Sequence, residues 1–405
     1  MLQVFKKDRM WRNEPLKERY DVVIVGAGVH GLATAYYLSK RGITNVALLD
    51  KGYLGGGASA RSTAILRANY VTTEGIPFFH ESLKLYEDLA QDLNYNLLFS
   101  QFGRLELAHA ESSIYALRIR AEFNAALGVE SRIIGPEEIR ELVPPLDMRE
   151  GKDLPILAGL YHPPAGVIRH DAVIWAYARA VDKMGAEVHP FTEVMGIQQH
   201  NGRVVGVETN RGNIEAEIVV NCTAGWSSTV AEMVGLDLAI VTHPLQALVT
   251  EPLKPFLRTG ISSTDFHVYI YQTDRGELVI GGAVEHYPTY AEKSTYHRVE
   301  ELITHTLDLL PCLREVNVLR QWAGLCDMTP DYVPIMGIVP GIDGFLLNCG
   351  WGTYGFKAAP IAGKTMAELI ATGRTPDLIK PFSINRFSEG KLVNEKGAAA
   401  SAALH

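Results

Sequence analysis

The sequence predicts an α/β chain in which a Rossmann-like nucleotide-binding domain is interleaved with an α+β domain built on antiparallel sheet. Three observations carry this. A β-branched run, a glycine-rich turn and a helical pattern follow one another from Tyr20 to Arg41, and a second strand ends at Asp50. That is the order of one βαβ unit. The doubly wound pattern then stops, and helical and strand-rich segments intervene before another apolar strand and glycine turn at 218–225. Finally, the 405 residues exceed the roughly 250–300 that one core usually holds, so roughly two to three domain-sized units fit.

Taken in order, residues 1–19 are polar and charged and read as an extended arm. Val22 to Val25 is a buried parallel strand by its β-branched run. Val29 to Arg41 has helical spacing and is ended by Gly42. Asn45 to Asp50 is the second strand. Residues 74–93 and 111–127 read as amphipathic helices flanking a strand at Arg104–Ala108, and Gly135 to Leu142 as a short helix stopped by Pro144-Pro145. Residues 146–170 look loop-rich. Asp171 is expected to cap a helix from Ala172 to Met184. Glu187 to Asn221 reads as a β-meander with turns at Asn201-Gly202 and Arg211-Gly212-Asn213. A helix runs on to about Val234. Strands recur over 244–284 around an Asp274-Arg275-Gly276 hairpin turn, and 292–310 is helical. Phe345 to Asn348 is the last strand, before a glycine-rich loop and a helix to Ala371. Residues 20–80, 165–240 and 320–388 are expected to form the nucleotide domain. The second, substrate-binding domain takes 81–164 and 241–319, and 389–405 forms another arm.

Composition excludes several classes. The formal charge of −8, with no Lys/Arg run, does not suit nucleic acid, because phosphate neutralisation needs clustered cations. No stretch approaches the roughly 18 apolar residues of a membrane span, and no secretory signal is read at the N-terminus. The four cysteines are scattered without a C-x-x-C pair, so neither a disulfide framework nor a metal site is expected and a cytoplasmic setting is the simplest.

Gly26-Ala27-Gly28-Val29-His30-Gly31 is a G-x-G-x-x-G between strand and helix. Gly26 permits the tight turn, Gly28 lets a pyrophosphate approach the backbone, and Gly31 lets helix and strand pack closely. The helix N-terminus adds N–H groups and partial positive charge. Asp50, at the end of the next strand, is placed to accept ribose hydroxyl bonds. The alternative is a glycine-rich turn made for packing alone. The split layout is similar to FAD-binding oxidoreductases, and no second complete βαβ fingerprint for NAD(P)H is read. Electrons are therefore expected from a substrate.

Further segments carry a narrower resemblance. Gly55-Gly56-Gly57-Ala58-Ser59-Ala60-Arg61-Ser62-Thr63 and Cys349-Gly350-Trp351-Gly352-Thr353-Tyr354-Gly355-Phe356-Lys357 resemble flavin-contacting loops of the D-amino-acid oxidase and sarcosine oxidase superfamily. With Leu98-Phe99-Ser100-Gln101, Ala165 to Asp171 and His243 to Val249, nearly the whole chain resembles the β subunits of heterotetrameric sarcosine oxidases. The resemblance implies noncovalent FAD and oxidative demethylation of sarcosine to glycine, with hydride passing to FAD. Electrons then pass to FMN, which reduces O2 to H2O2. The FMN is implied to be covalently bound through His170. Partner α, γ and δ type subunits are implied, the large one carrying tetrahydrofolate and NAD sites. The implied cofactor-binding set is Gly26, Gly28, Gly31, Asp50, Lys51, Gly57, Ser59, Arg61, Ser62, Thr63, Val194, Ala224, Gly225, Gly350, Gly352, Thr353 and Lys357. A β subunit that oxidises proline or another secondary amino acid, or an electron-transfer subunit without catalysis, are the alternatives.

The substrate residues have both readings of their chemistry and matches to the family. Arg67 lies in the apolar run Ala64-Ile65-Leu66-Arg67-Ala68, where a guanidinium is costly unless it meets an anion. Lys357 opens a helix, where its charge opposes the dipole and suits an anionic ligand. Both match positions that hold the substrate carboxylate, against a structural ion pair for Arg67 and a solvent-facing residue for Lys357. The two cations disfavour an ammonium nearby, so no dedicated base is required. Tyr269 and Tyr271, with His267, alternate along one strand and share a face, lining a pocket or simply half-buried. The sequence departs from its relatives at Cys326, which replaces an arginine in Gly324-Leu325-Cys326-Asp327-Met328-Thr329-Pro330-Asp331 and is a rival covalent flavin site. The hairpin Gly276 to Ile280 lacks an oxygen-activating lysine, and Tyr354 is bulkier than the glycine expected there.

Overall fold

The computed structural model describes residues 10–149, 151, 153–263 and 265–396. The expected arms reach outside this range at 1–9 and 397–405.

The βαβ unit forms as its pattern predicts. Arg19–Val25 lies between Gly212–Asn221 and Val46–Leu49, parallel to both, with Val23 opposite Val219 and Ala47. Alternation along that strand sends Val22 and Ile24 to one hydrophobic core and Val23 and Val25 to another on the opposite face. Ile342–Cys349 adds a further parallel strand beside Gly212–Asn221, and the antiparallel pair Val194–His200 and Arg203–Thr209 completes that edge. At the other edge, Glu187–His189 pairs parallel with Val46–Leu49. It is therefore not part of the meander, contrary to the sequence reading. The reason is the turn at Pro190–Glu193, which separates it from the next strand.

The helices Val29–Lys40 and Gly355–Thr372 pack closely, since a Cβ at Gly363 would lie 2.5 Å from the carbonyl carbon of Ala33. This contact lays the start of the last long helix over the glycine turn. The helix Gly75–Asp92 buries Ile76, Phe78, Phe79, Leu83, Tyr86 and Leu89 in the same core.

The second sheet has eight strands among the described residues. Their order is Val318–Met328, Val241–Pro252, Glu277–Val284, Val268–Gln272, Gly260–Ser263, Arg104–Ala108, Ala158–His162 and Arg132–Ile134. All pairings are antiparallel except Gly260–Ser263 with Arg104–Ala108. The helix Tyr296–Leu309 covers it through Val299, Leu302 and Leu309. The strand Ala158–His162 arises in a segment read as loops. The strand Val318–Met328 pairs with Val241–Pro252 over its whole length, so a boundary at 319–320 would cut it.

Two local expectations are corrected. The helix expected from Ala172 begins at His170, with Arg169 in the capping position. Asp171 instead pairs with Arg169 at 2.9 Å and accepts the Ala172 N–H, because a neighbouring guanidinium competes for the carboxylate. The stretch 391–396, expected as part of an arm, is docked: Glu395 is 1% exposed. Near the other end, Arg12 pairs with Asp182 and Lys17 with Glu187.

Candidate functional site

Gly26 has φ +104°, and a Cβ there would lie 2.5 Å from the Cys222 carbonyl oxygen. Only glycine fits this turn without strain. At Gly31 a Cβ would meet the Gly26 carbonyl at 2.0 Å, so its role is packing behind the wall. The helix N-terminus is met by Ser59, whose Oγ accepts the Val29 N–H at 3.0 Å. Asp50 accepts N–H groups from Ala27 and Gly52, each at 2.9 Å. Burial raises its carboxyl, and these two bonds oppose that rise.

One cavity of about 550 Å³ opens beside this turn. Of the residues read from the sequence, Gly26, Gly28, Asp50, Lys51, Gly57, Ser59, Arg61, Ser62, Thr63, Val194, Ala224, Gly225, Gly352, Thr353 and Lys357 line it, together with Arg67 and Tyr269. Gly31 and Gly350 stand outside its wall; the Gly350 N–H is held by Asp327 Oδ2 at 2.6 Å. His170 and Tyr271 are also outside it. His170 is half-buried in the first turn of its helix. Burial lowers its pKa, the Asp171 carboxylate opposes this and Arg169 adds to it. Tyr271 donates its hydroxyl to the Thr63 carbonyl at 2.7 Å, which anchors the loop rather than facing the cavity. His267 is not part of the wall either.

One part of the cavity lining is cationic. Arg67 follows the strand Ile65–Leu66 and is 4% exposed. Its Nη1 donates to the Asn69 carbonyl at 2.7 Å and side-chain oxygen at 3.1 Å, and its guanidinium lies 4.2 Å from the Tyr70 ring centre. Arg104 also lines the cavity. It donates to Glu106 at 2.9 Å, and Arg120 donates to the same carboxylate at 3.0 Å. All three are buried. Burial would raise the Glu106 carboxyl, but Arg120, Arg104 and Arg67 together hold it below the usual carboxylate range. Arg104 is pushed down to about 10, first by burial.

Lys357 sits in the first turn of Gly355–Thr372 and donates to the Thr353 carbonyl at 3.3 Å. Burial, then the charges of Arg67 and Arg104, lower its pKa well below that of an ordinary lysine. A buried anion would reverse this by compensating all three cations. Tyr269 is pushed up to about 12 by burial, so it enters as a neutral hydroxyl. Cys326 lines the same wall, and burial pushes its thiol up to about 12. That disfavours the thiolate a flavin linkage would need.

Several lining residues escaped the sequence reading. His30 stacks on Trp351 at 4.3 Å and shares a hydrogen bond with the Gly355 carbonyl at 2.8 Å. Burial lowers its pKa to about 3, and its buried Nδ1 has no partner among the described residues. It occupies a variable position of the glycine motif, where the motif itself carries no signal. Asp327 is raised to about 6 by burial. At the nucleotide side, Glu292 pairs with Arg61 at 2.6 Å, Tyr290 stacks on Trp226 at 4.7 Å, and Lys51 lies 3.3 Å over the Trp226 ring. No group of His, Cys, Asp or Glu among the described residues is arranged to hold a metal. No helix among them is long and apolar enough to cross a membrane.

A glycine turn no side chain could fill, an acid at the next strand end and an adjoining cavity define a dinucleotide-binding protein. Residues 21–369 match the family described as FAD dependent oxidoreductase. The chain is 44% identical to sarcosine oxidase subunit beta of Rhodobacter capsulatus, over 98% of this chain and 95% of that one. It is 43% identical to the protein of the same name from Arthrobacter sp, over 97% of each. Among solved structures, L-proline dehydrogenase from P. horikoshii superposes with a TM-score of 0.88 at 29% identity, covering 93% of this chain and all of that one. Glycine oxidase from Geobacillus kaustophilus gives 0.84 at 26%, covering 91% and 99%. The chain belongs to the FAD dependent oxidoreductase family and, within it, to the sarcosine oxidase β subunits. It is a flavoprotein enzyme and its cofactor is FAD.

Proposed function

We propose that this chain oxidises the N-methyl group of sarcosine at a noncovalently held FAD. The observation that carries the reading is the convergence of Arg67, Arg104 and Lys357 on the cavity whose other wall is the glycine cradle. When bound, FAD accepts a hydride from a carbon adjacent to an amine. Gly26, Gly28 and the start of Val29–Lys40 would hold its pyrophosphate, and Asp50 its ribose. Arg67 and Lys357 would bind the substrate carboxylate. Their charge favours the free amine over the ammonium, which is the form that releases hydride. Tyr269 would shape the pocket beside them.

Three finer points belong to the same reading. A second flavin, FMN, is carried covalently by His170. Its support is a half-buried imidazole that burial keeps neutral and nucleophilic, outside the FAD cavity. The chain works with α, γ and δ type subunits; its support is that the relatives are named as a subunit beta, and so as parts of a multi-subunit enzyme. Its four cysteines are all free, which supports a cytoplasmic, reducing setting. A second reading, oxidation of proline, is favoured by the fit to L-proline dehydrogenase. Comparing kcat/KM for sarcosine and L-proline on the assembled complex separates the two; a preference for proline overturns the first. Mass spectrometry of the denatured chain is expected to give an FMN adduct that disappears in His170→Ala. An adduct that persists in that variant refutes the linkage.

A further inference from the structure

The tail beyond the last helix has no place in the chemistry described so far, yet its residue Glu395 is 1% exposed. Its carboxylate accepts the Val71 N–H at 3.2 Å, the Thr72 N–H at 3.1 Å and the Thr72 hydroxyl at 2.7 Å. Its carbonyl accepts the Tyr354 hydroxyl at 2.8 Å, and its N–H donates to the Asp331 carbonyl at 3.0 Å. A buried carboxylate is costly unless so compensated. A residue tied on three sides is a strut rather than a loose end.

What it ties together is the carboxylate clamp. Val71 and Thr72 close the segment that begins at Arg67. Within that segment Arg67 rests on the Tyr70 ring, and Tyr70 meets Tyr354 edge-on with centres 5.4 Å apart. Tyr354 caps the helix whose first turn presents Lys357. Asn69 fixes the Arg67 guanidinium and accepts from Arg120 as well. Glu395 thus bridges the segment that follows Arg67 and the turn that precedes Lys357. At Gly75 a Cβ would lie 2.5 Å from Glu395 Oε2, so the strap also lies close against the following helix.

We propose that Glu395 is a positioning residue that sets the spacing of Arg67 and Lys357 for a small amino-acid carboxylate. The inference rests on the reading of those two residues as the carboxylate clamp. A clamp of two cations gains most when both reach the same anion at once, and small displacements of positioning groups have large effects.

The test uses the flavin-loaded complex and methoxyacetate, which is sarcosine with an ether oxygen in place of the amine. Its Kd is read from the perturbation of the flavin spectrum in wild type, Glu395→Ala, Glu395→Gln, Tyr354→Phe and Arg67→Ala. Glu395→Ala is expected to weaken binding about tenfold with the FAD content intact. The sarcosine KM rises in step and kcat changes far less. Glu395→Gln keeps an acceptor oxygen and is expected to stay within about threefold of wild type. Tyr354→Phe, which removes only the hydroxyl bond to the tail, shifts Kd in the same direction as Glu395→Ala and serves if that variant does not fold. If Arg67→Ala weakens binding while the tail variants bind as wild type does, the positioning role is overturned. If Arg67→Ala itself leaves Kd unchanged, the clamp reading fails instead.

Discussion

Glu106→Gln isolates the electrostatics behind the site. Glu106 pairs with both Arg104 and Arg120, at 2.9 and 3.0 Å, with all three side chains under 10% exposed. The substitution keeps the shape and removes the charge, leaving two buried guanidiniums beside Arg67 and Lys357. Removing one partner of a buried pair costs about 3–5 kcal/mol. For 405 residues unfolding as one unit, an entropy of about 2.1 cal/mol/K per residue gives about 0.85 kcal/mol/K. The expected fall in Tm is therefore about 4–6 °C. Glu138→Gln, in the exposed pair with Arg132, is the control and costs at most about 1 kcal/mol. The sign with pH follows from the depressed Glu106 carboxyl. Its stabilisation is complete above the unfolded value of about 4.3 and is lost as pH falls through the lower folded value. The difference in Tm between wild type and Glu106→Gln should accordingly narrow on acidification. Calorimetry of the holoenzyme measures both. A Tm equal to that of Glu138→Gln, or a difference that widens in acid, refutes the reasoning.

Lys357 is lowered by burial and by Arg67 and Arg104, and a bound carboxylate raises it again. Affinity for methoxyacetate should fall as pH rises through the range where only the bound lysine is charged, by up to about tenfold per unit. Lys357→Arg cannot lose its proton and is expected to flatten that slope; Kd measured against pH decides it. Gly26→Ala places a Cβ against the Cys222 carbonyl at φ +104° and costs about 1–3 kcal/mol. Its flavin-to-protein ratio after gel filtration should drop, and a stoichiometric ratio would contradict the cradle assignment. Glu292→Gln removes the partly exposed pair with Arg61, worth at most about 1 kcal/mol. FAD dissociation, followed by flavin fluorescence, is expected to quicken by no more than about fivefold.

The nucleotide half of the fold was legible because its signals are local. A β-branched run, three glycines and an acid lie within 31 residues of chain and meet in one turn, and the split domain follows from where the pattern stops and returns. Arg67 and Lys357 stood out because each is a charge in surroundings that do not favour it. The network behind them was not legible. Arg104 and Glu106 alternate along a strand whose five residues are all buried, while Arg120 arrives from the helix Glu111–Ala126. That helix buries Arg120 and Asn124 and exposes Tyr115 and Phe123, so apolar spacing assigns its faces the wrong way round. Its polar side turns inward because Glu106 and the Asn69 and Tyr70 carbonyls need donors there. Tyr271 shared a face with Tyr269, as alternation requires, but one carbonyl of the neighbouring loop claims its hydroxyl. Glu395 looked like part of a polar arm, since nothing near it in sequence reveals backbone donors at Val71 and Thr72.

The central claim is that an amine held by its carboxylate against Arg67 and Lys357 reduces the FAD of this chain. Anaerobic titration of the purified complex with sarcosine tests it most directly, with flavin absorbance as the readout. Bleaching of the FAD band is expected in wild type, and its loss in Arg67→Ala at the same sarcosine concentration. Flavin that stays oxidised in wild type, or bleaches equally well in Arg67→Ala, would contradict it.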